Sequence, residues 1–161
     1  MLIGEEILLL ILDEKKGKTP GNLKQFVRMV IPASIIEELR ILGRINIESE
    51  GKNAYVVLTD DKPTENPILD GILFEIINFH NTGKTLKLVD FLKGLGGKNM
   101  KWQDQLWLGL ENKGIIQTKK KNHFLMQSQM KEDLEKEIKD VLGNKKTPSE
   151  RQKAIIGFFK R

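Results

Sequence analysis

Residues that could perform acid–base, nucleophilic or metal chemistry are few in this sequence and widely separated. The chain has only two histidines, His80 and His123, and no cysteine. It lacks the H-x-x-x-H spacing that places two metal ligands on one helix face, and it offers no thiolate as nucleophile or ligand. No serine lies in the G-x-S-x-G turn of a hydrolase. The sequence therefore predicts no catalytic residue, no metal site and no cofactor.

Two further patterns resemble reactive sites without meeting their requirements. Glu5-Glu6 and Glu37-Glu38 are adjacent pairs, and neighbouring side chains on a helix point about 100° apart, so neither pair converges on a substrate. Gly83-Lys84-Thr85 resembles the end of a phosphate-binding loop, but that loop needs a glycine where this chain has Asn78, and a preceding strand. We interpret this string as a turn between helices.

Clustered lysines are the remaining candidates for a binding site. Lys93, Lys98 and Lys101 surround the turn at Gly96-Gly97, just before a predicted helix. A helix N-terminus presents unpaired N–H groups and partial positive charge, so a phosphate can bind there. A second cluster, Lys119-Lys120-Lys121, is predicted to form a hairpin tip that is either simply solvated or in contact with phosphates. Near an anionic membrane each lysine contributes about 1 kcal/mol.

Trp102 beside this cluster has two interpretations. An indole with its polar N–H suits a membrane interface. Alternatively, Trp102 begins an apolar stripe with Leu106 and Leu110 at i, i+4 and i+8, and this spacing favours a place in the core.

Composition indicates a single globular domain over residues 1–161. Hydrophobic residues make up 39% of the chain, charged residues make up 30%, and the formal net charge is +5. A basic balance favours anionic partners such as phospholipid surfaces or nucleic acid. No run approaches the roughly 18 apolar residues of a spanning helix, so any membrane contact is expected to be peripheral.

Apolar periodicity predicts a mainly α fold, a single globular helical domain with two short β-hairpins. Each hairpin follows a helix that ends at a glycine, Gly43 or Gly114, and this winged-helix-like unit is either a weak repeat or a chance recurrence. A break at Pro32 and a cap at Thr147 are also expected. The predicted helices span about Leu2–Glu14, Leu23–Leu42, Pro67–His80, Leu86–Leu95, Lys101–Lys113, Met130–Leu142 and Ser149–Phe159. The predicted hairpins pair Arg44–Glu48 with Ala54–Leu58, and Ile115–Thr118 with His123–Met126.

Four strings in fixed order resemble the Golgi phosphoprotein 3 family. They are Glu5 to Leu10 (EEILLL), Glu38 to Ile45 (ELRILGRI), Pro63 to Asp70 (PTENPILD) and Leu110 to Ile116 (LENKGII). The resemblance extends from Glu5 to about Phe159. It implies a non-catalytic, cytoplasmic, peripheral membrane adaptor of vesicle trafficking that binds phosphatidylinositol 4-phosphate, at the cytosolic face of the Golgi in a eukaryote. Relatives usually have further helices, so it also implies a chain shortened at its C-terminus.

The headgroup residues of eukaryotic relatives are not matched here. Their tryptophan falls in the segment 20–23, which has no aromatic residue. Their basic residues align with Pro32 and near Met100 and Gln103. The resemblance therefore gives the fold and the ligand class but not the ligand-binding side chains.

Nearby cations are expected to substitute for these residues. Lys98 and Lys101 lie close to the second pair, and Arg28 lies one helical turn before Pro32. We expect these three residues to bind an anionic lipid headgroup, with Trp102 at the edge of the site.

Two other functions remain open at this stage. One is a nucleic-acid-binding protein that uses the helix Ser34–Leu42 and the lysine-tipped hairpin, although this helix offers mainly Glu37, Glu38 and Arg40 where base recognition needs Arg, Asn or Gln. The other is a structural scaffold that binds a protein partner, or a second copy of itself, through an apolar patch.

Overall fold

Seven helices and five short strands make up the computed structural model, which describes residues 1–96 and 99–159. The mainly α fold with two short hairpins is confirmed. The helices are α1 (Ile3–Ile11), α2 (Lys24–Ile41), α3 (Pro67–Asn81), α4 (Leu88–Gly96), α5 (Asn99–Asn112), α6 (Ser128–Leu142) and α7 (Glu150–Phe159). The strands are β1 (Ile45–Glu50), β2 (Asn53–Leu58), β3 (Leu86–Lys87), β4 (Ile116–Lys119) and β5 (Asn122–Leu125).

Aliphatic side chains from α1, α2, α3 and α5 form most of the core. Burying one such side chain contributes about 1.5–3 kcal/mol relative to leaving it exposed. This burial fixes the positions of the four helices relative to one another, and so fixes the positions of the polar side chains on their outer faces. The fully buried members include Ile7, Leu8, Ile31, Ile35, Leu39, Leu69, Ile72 and Leu106.

The second helix continues through Pro32 instead of breaking there. A proline in a helix interior removes one hydrogen bond and costs about 3 kcal/mol. Pro32 is itself buried, and Ile31 and Ile35 on the same helix are at most 1% exposed. Their burial offsets the cost, so α2 is one continuous helix that reaches from the core to the edge of the molecule.

The first helix is shorter than the predicted Leu2–Glu14. It ends at Ile11, and Leu12 is already extended. Asp13 and Lys18 then form an isolated antiparallel bridge around Gly17, whose φ is +68°. The carbonyl of Gly17 accepts a hydrogen bond from the backbone N–H of His123, at 2.5 Å, so this turn is attached to β5.

The first hairpin gains a third strand that the sequence did not predict. β1 pairs with β2 from Ile45↔Leu58 to Glu50↔Asn53, and β3 pairs with the other edge of β2. The helix expected from Leu86 consequently begins at Leu88, since pairing with β2 fixes Leu86 and Lys87 as extended backbone.

The starts of α3 and α7 are fixed by side-chain caps. Asn66 accepts hydrogen bonds from the N–H groups of Ile68 and Leu69 at 3.0 and 3.2 Å, and Pro67 follows it, as expected for a first helical position. For α7 the predicted cap at Thr147 was wrong. Ser149 Oγ accepts from the Gln152 N–H, and the Gln152 side chain accepts from the Ser149 N–H, which is the reciprocal capping box.

Candidate functional site

A groove of about 800 Å³ lies between the turn after α1, the N-terminal half of α2, one face of α5 and the β4–β5 hairpin. We call it the basic groove. Its lining residues are Lys18, Thr19, Lys24, Val27, Arg28, Gln103, Asp104, Trp107, Leu108, Glu111, Thr118, Lys121, Asn122 and His123.

Four cations reach the basic groove from three different elements. Lys18 comes from the bridged turn, Lys24 and Arg28 from adjacent turns of α2, and Lys121 from the hairpin tip. All four are exposed. Because Lys121 is far from the other three in sequence, only the folded chain places all four around one cavity.

The opposite side of the groove is one face of α5. Asp104, Trp107, Leu108 and Glu111 are spaced i, i+3, i+4 and i+7, so they lie along the same side of the helix. Trp107 is buried, whereas Leu108 lines the groove and is 53% exposed to solvent. This side therefore presents two carboxylates and an apolar side chain to any ligand that contacts the cations.

An aromatic stack joins α5 to the hairpin. The His123 ring lies nearly parallel to Trp107, with 4.2 Å between centroids and 9° between planes. Its Nδ1 lies 3.0 Å from Thr118 Oγ1. Burial lowers the pKa of His123 below its usual value, while Asp104 and Glu111 act in the opposite direction. The imidazole is therefore mainly neutral at pH 7.

The hairpin tip holds its lysines in a strained backbone conformation. Lys120 and Lys121 have φ of +49° and +67°, in a two-residue turn that Asn-Gly normally occupies. The left-handed conformation costs a residue with a side chain about 1–2 kcal/mol. Strain of this kind occurs preferentially at functional sites, and Lys121 lines the groove.

The candidate residues from the sequence lie in different places. Arg28 lines the basic groove. Lys101 is exposed on α5, with Nζ 5.6 Å from the centroid of the Trp102 ring, and it is absent from the groove lining. Lys98 lies outside the described residues.

Trp102 belongs to the core, as the stripe with Leu106 and Leu110 favoured. Its side chain is 5% exposed and packs with these two leucines in the main core cluster. Trp102 is absent from the groove lining, and its side chain is too buried to insert into a membrane.

Most members of the basic groove were not predicted as site residues from the sequence, among them Lys18, Lys24 and His123. The i, i+3, i+4, i+7 pattern on α5 was visible in the chain. However, only the tertiary structure shows that this face borders the groove with α2, while Trp107 on it also packs in the core.

The helix proposed for nucleic-acid recognition is mostly buried. Ser34, Ile35, Glu38 and Leu39 face the interior, and Arg40 forms an ion pair with Glu37 on the same helix. No base-reading side chain is available on this segment in the fold observed.

Within residues 1–96 and 99–159, no group of three or more acidic or histidine side chains is arranged to hold a metal ion. Across the same residues, no helix combines the length and the apolar character needed to cross a bilayer.

Comparison with known families gives one match. The model of the family described as Golgi phosphoprotein 3 (GPP34) matches residues 3–160. No curated protein matches the chain. The match covers every helix and strand described above, including all sides of the basic groove.

Proposed function

Because the chain belongs to the Golgi phosphoprotein 3 family, we propose that it is a non-catalytic, peripheral membrane adaptor that binds an anionic lipid headgroup in the basic groove. Family membership supports a Golgi-associated trafficking adaptor, and phosphatidylinositol 4-phosphate is the headgroup that the family suggests. The observation that supports the proposal most directly is the convergence of Lys18, Lys24, Arg28 and Lys121 on one cavity.

The electrostatics suit reversible attachment to a membrane surface. A lysine or arginine near an anionic leaflet contributes about 1 kcal/mol, so four such side chains give measurable adhesion without permanent anchoring. Exposed charges are screened beyond about 8 Å at physiological ionic strength. Binding is therefore expected to weaken as salt concentration rises.

An apolar side chain beside the cations favours a lipid over a free anion. Leu108 lines the groove and is 53% exposed. A soluble phosphate gains nothing from this side chain. A headgroup at a bilayer surface lets it contact the acyl boundary, where burial of apolar area is favourable.

Vesicle sedimentation tests this function. Lys18→Ala/Lys24→Ala/Lys121→Ala removes three groove cations, at about 1 kcal/mol each, and is expected to weaken binding to phosphatidylinositol 4-phosphate vesicles about 100-fold. The matched control, Lys52→Ala/Lys87→Ala/Lys136→Ala, removes the same charge from exposed positions outside the groove.

The comparison separates a site from general attraction. We expect the control to retain most of the wild-type binding, apart from a small loss of nonspecific attraction. Equal losses in the two triple variants would reject the groove as the site. Equal pelleting of wild-type protein with neutral and phosphoinositide vesicles at low salt would reject lipid binding altogether.

A further inference from the structure

We propose that Phe26, Met29 and Phe159 form an apolar surface that enters the boundary between headgroups and acyl chains of an anionic bilayer. We call these three residues the α2–α7 patch. The inference rests on the proposed function and adds a second, apolar contact to the ionic one in the basic groove. It gives the end of α7 a role in membrane attachment beyond its packing against α1 and α2.

The three side chains form one surface across two helices. The rings of Phe26 and Phe159 are stacked, with 5.5 Å between centroids and 28° between planes. Met29 follows Phe26 by three residues on α2, so their side chains are neighbours on that helix. Met29 is 67% exposed and Phe159 is 42% exposed. The free protein therefore keeps much of this apolar surface in water.

The charges around the patch distinguish it from an ordinary exposed apolar residue. The two segments that contribute its side chains, 15–36 and 151–161, contain no aspartate and no glutamate. The first segment has five cations and the second has four: Lys15, Lys16, Lys18, Lys24 and Arg28, then Arg151, Lys153, Lys160 and Arg161. Such a surface is attracted to an extended plane of negative charge, which is the property of an anionic leaflet.

Other exposed apolar side chains have a different charge environment. Phe74 on α3 is 63% exposed, but α3 carries Asp70 and Glu75 and neither lysine nor arginine. Val89 on α4 is 58% exposed and is followed directly by Asp90. An anionic bilayer would be repelled at these positions, so they are suitable controls for the patch.

The patch is continuous with the basic groove along α2. Lys24 and Arg28 line the groove, and they lie on the same half of α2 as Phe26 and Met29. Consecutive side chains on a helix point about 100° apart, so Arg28 and Met29 face adjacent sides of α2. A bilayer lying along this half of the helix can bind cations on one side and apolar side chains on the other, as interfacial helices do.

An apolar contact predicts a component of binding that salt does not remove. The attraction of exposed cations is screened strongly, because the Debye length falls from about 10 Å at 0.1 M salt to about 3 Å at 1 M. Burial of apolar surface does not depend on charge. We therefore expect residual binding of the wild-type protein to anionic vesicles at 1 M salt, and we assign it to the patch.

Vesicle sedimentation with phosphatidylserine tests this assignment. Met29→Gln/Phe159→Gln removes the exposed apolar groups without changing the net charge, and Phe26 stays in place because it packs against the second core cluster. The control, Phe74→Gln/Val89→Gln, makes the same replacement at comparably exposed positions outside the patch. The patch variant should bind about tenfold more weakly and lose the residual binding at 1 M salt. The control should bind as the wild type does, and circular dichroism checks that both are folded.

A fluorescent label locates the contact directly. The chain has no cysteine, so Met29→Cys provides one attachment site for an environment-sensitive dye. On vesicle binding, this dye should shift to shorter wavelength and be quenched by lipids that carry a spin label near the top of the acyl chain. The same dye on Phe74→Cys should keep its aqueous spectrum.

Three results would overturn the inference and leave the proposed function intact. One is a dye at position 29 that stays in water while the labelled protein is bound to vesicles. Another is wild-type affinity of the patch variant at both salt concentrations. The third is an equal loss of binding in the patch variant and its control. If the wild-type protein binds no anionic vesicle, the proposed function itself fails.

Discussion

His123 is the residue where the pH response of the groove is expected to originate. Burial against Trp107 lowers its pKa, so the folded protein resists protonation more than the unfolded chain does. The free protein should therefore lose stability as pH falls through the usual histidine range, about 6.5. A bound anion favours the protonated form of His123, because an imidazolium among Lys121, Asp104 and Glu111 adds positive charge to the site.

We expect headgroup affinity to rise as pH falls from 8 to 5.5. Vesicles of phosphatidylglycerol test this, since a phosphodiester does not titrate in that range whereas a phosphomonoester does, near pH 6. His123→Gln should abolish the dependence, and His80→Gln should leave it unchanged because His80 lies outside the groove. An unaltered profile in His123→Gln would exclude this residue as the origin.

The left-handed backbone at Lys120 and Lys121 lowers stability, whereas the Lys121 side chain is expected to contribute to binding. Glycine adopts φ > 0 without the cost of about 1–2 kcal/mol that a lysine incurs, so Lys120→Gly and Lys121→Gly should each raise the free energy of unfolding by about 1 kcal/mol. Lys121 lines the groove and Lys120 does not, so Lys121→Gly should weaken vesicle binding more. Urea denaturation and sedimentation of the two variants measure both effects. Equal binding by the two variants would contradict a role for Lys121.

For single residues, the sequence predicted that cations bind the ligand, but it did not predict which cations lie around the groove. The lysine clusters and Arg28 were visible as cations in the chain. Lys18 follows Lys15 and Lys16 in the chain, and the turn that carries it is attached to β5 through Gly17. That attachment depends on a backbone contact between residues distant in sequence, which no local pattern encodes.

The contact between α1 and α5 depends on a glycine that leaves room for a buried carboxylate. A Cβ on Gly109 would lie 2.7 Å from Glu5 Oε2. Glu5 is 2% exposed, and its other oxygen accepts from Lys113 Nζ and from the Leu2 N–H, both at 2.7 Å. A side chain at position 109 would therefore displace the Glu5 carboxylate from its hydrogen bonds to Lys113 and Leu2.

Gly109→Ala is expected to lower the free energy of unfolding by about 1–3 kcal/mol, through overpacking and the lost hydrogen bonds of Glu5. Gly157→Ala is the matched control on α7, where a Cβ meets nothing within 4 Å. Alanine in a helix interior should stabilise that position by about 0.5–1 kcal/mol. Thermal unfolding of the two variants should therefore shift in opposite directions. A stabilised Gly109→Ala protein would show that Glu5 can move.

Among the elements, those with a strong apolar period were predictable and those fixed by tertiary contacts were not. Pro67–His80 was predicted and Pro67–Asn81 is observed, because Asn66 and Pro67 give a local start signal. The strand Leu86–Lys87 has no such signal. Its conformation is set by pairing with Tyr55 and Val56, at least thirty residues away along the chain.

For the whole molecule, Arg151 connects α7 to α1 and α2, the first two helices of the chain. Its guanidinium donates to both oxygens of Glu38 at 2.9 Å, lies 3.6 Å from Glu6, and donates to the Met1 carbonyl. Glu38 is 3% exposed and also accepts from the Ile3 N–H at 2.5 Å. Removal of Arg151 leaves this carboxylate buried without its counter-charge.

Arg151→Met is expected to reduce the free energy of unfolding by about 3–5 kcal/mol, the usual cost of an unpaired buried charge. Arg151→Met/Glu38→Gln should recover part of the loss, and a double-mutant cycle by urea denaturation measures the coupling. Lys153→Met, two residues further along α7 at an exposed position, is the control. Additive losses would mean that the two residues do not interact in solution.

Glu6, which lies 3.6 Å from Arg151, makes the free energy of unfolding depend on pH. Burial raises its pKa, against the effect of Arg151, so the folded state holds this proton more tightly than the unfolded chain. Its contribution favours folding at pH below the raised pKa and is lost as pH increases above it. Glu6 therefore opposes folding at neutral pH, in contrast to the usual surface carboxylate.

The groove draws its parts from positions 18 to 28, 103 to 111 and 118 to 123, so no contiguous fragment of the chain possesses it. A polypeptide still emerging from the ribosome, or one whose hairpin has detached, offers scattered lysines but no cavity. Selective docking would then begin only when folding is complete. Under the proposed function, headgroup binding would therefore report that the three segments have assembled correctly.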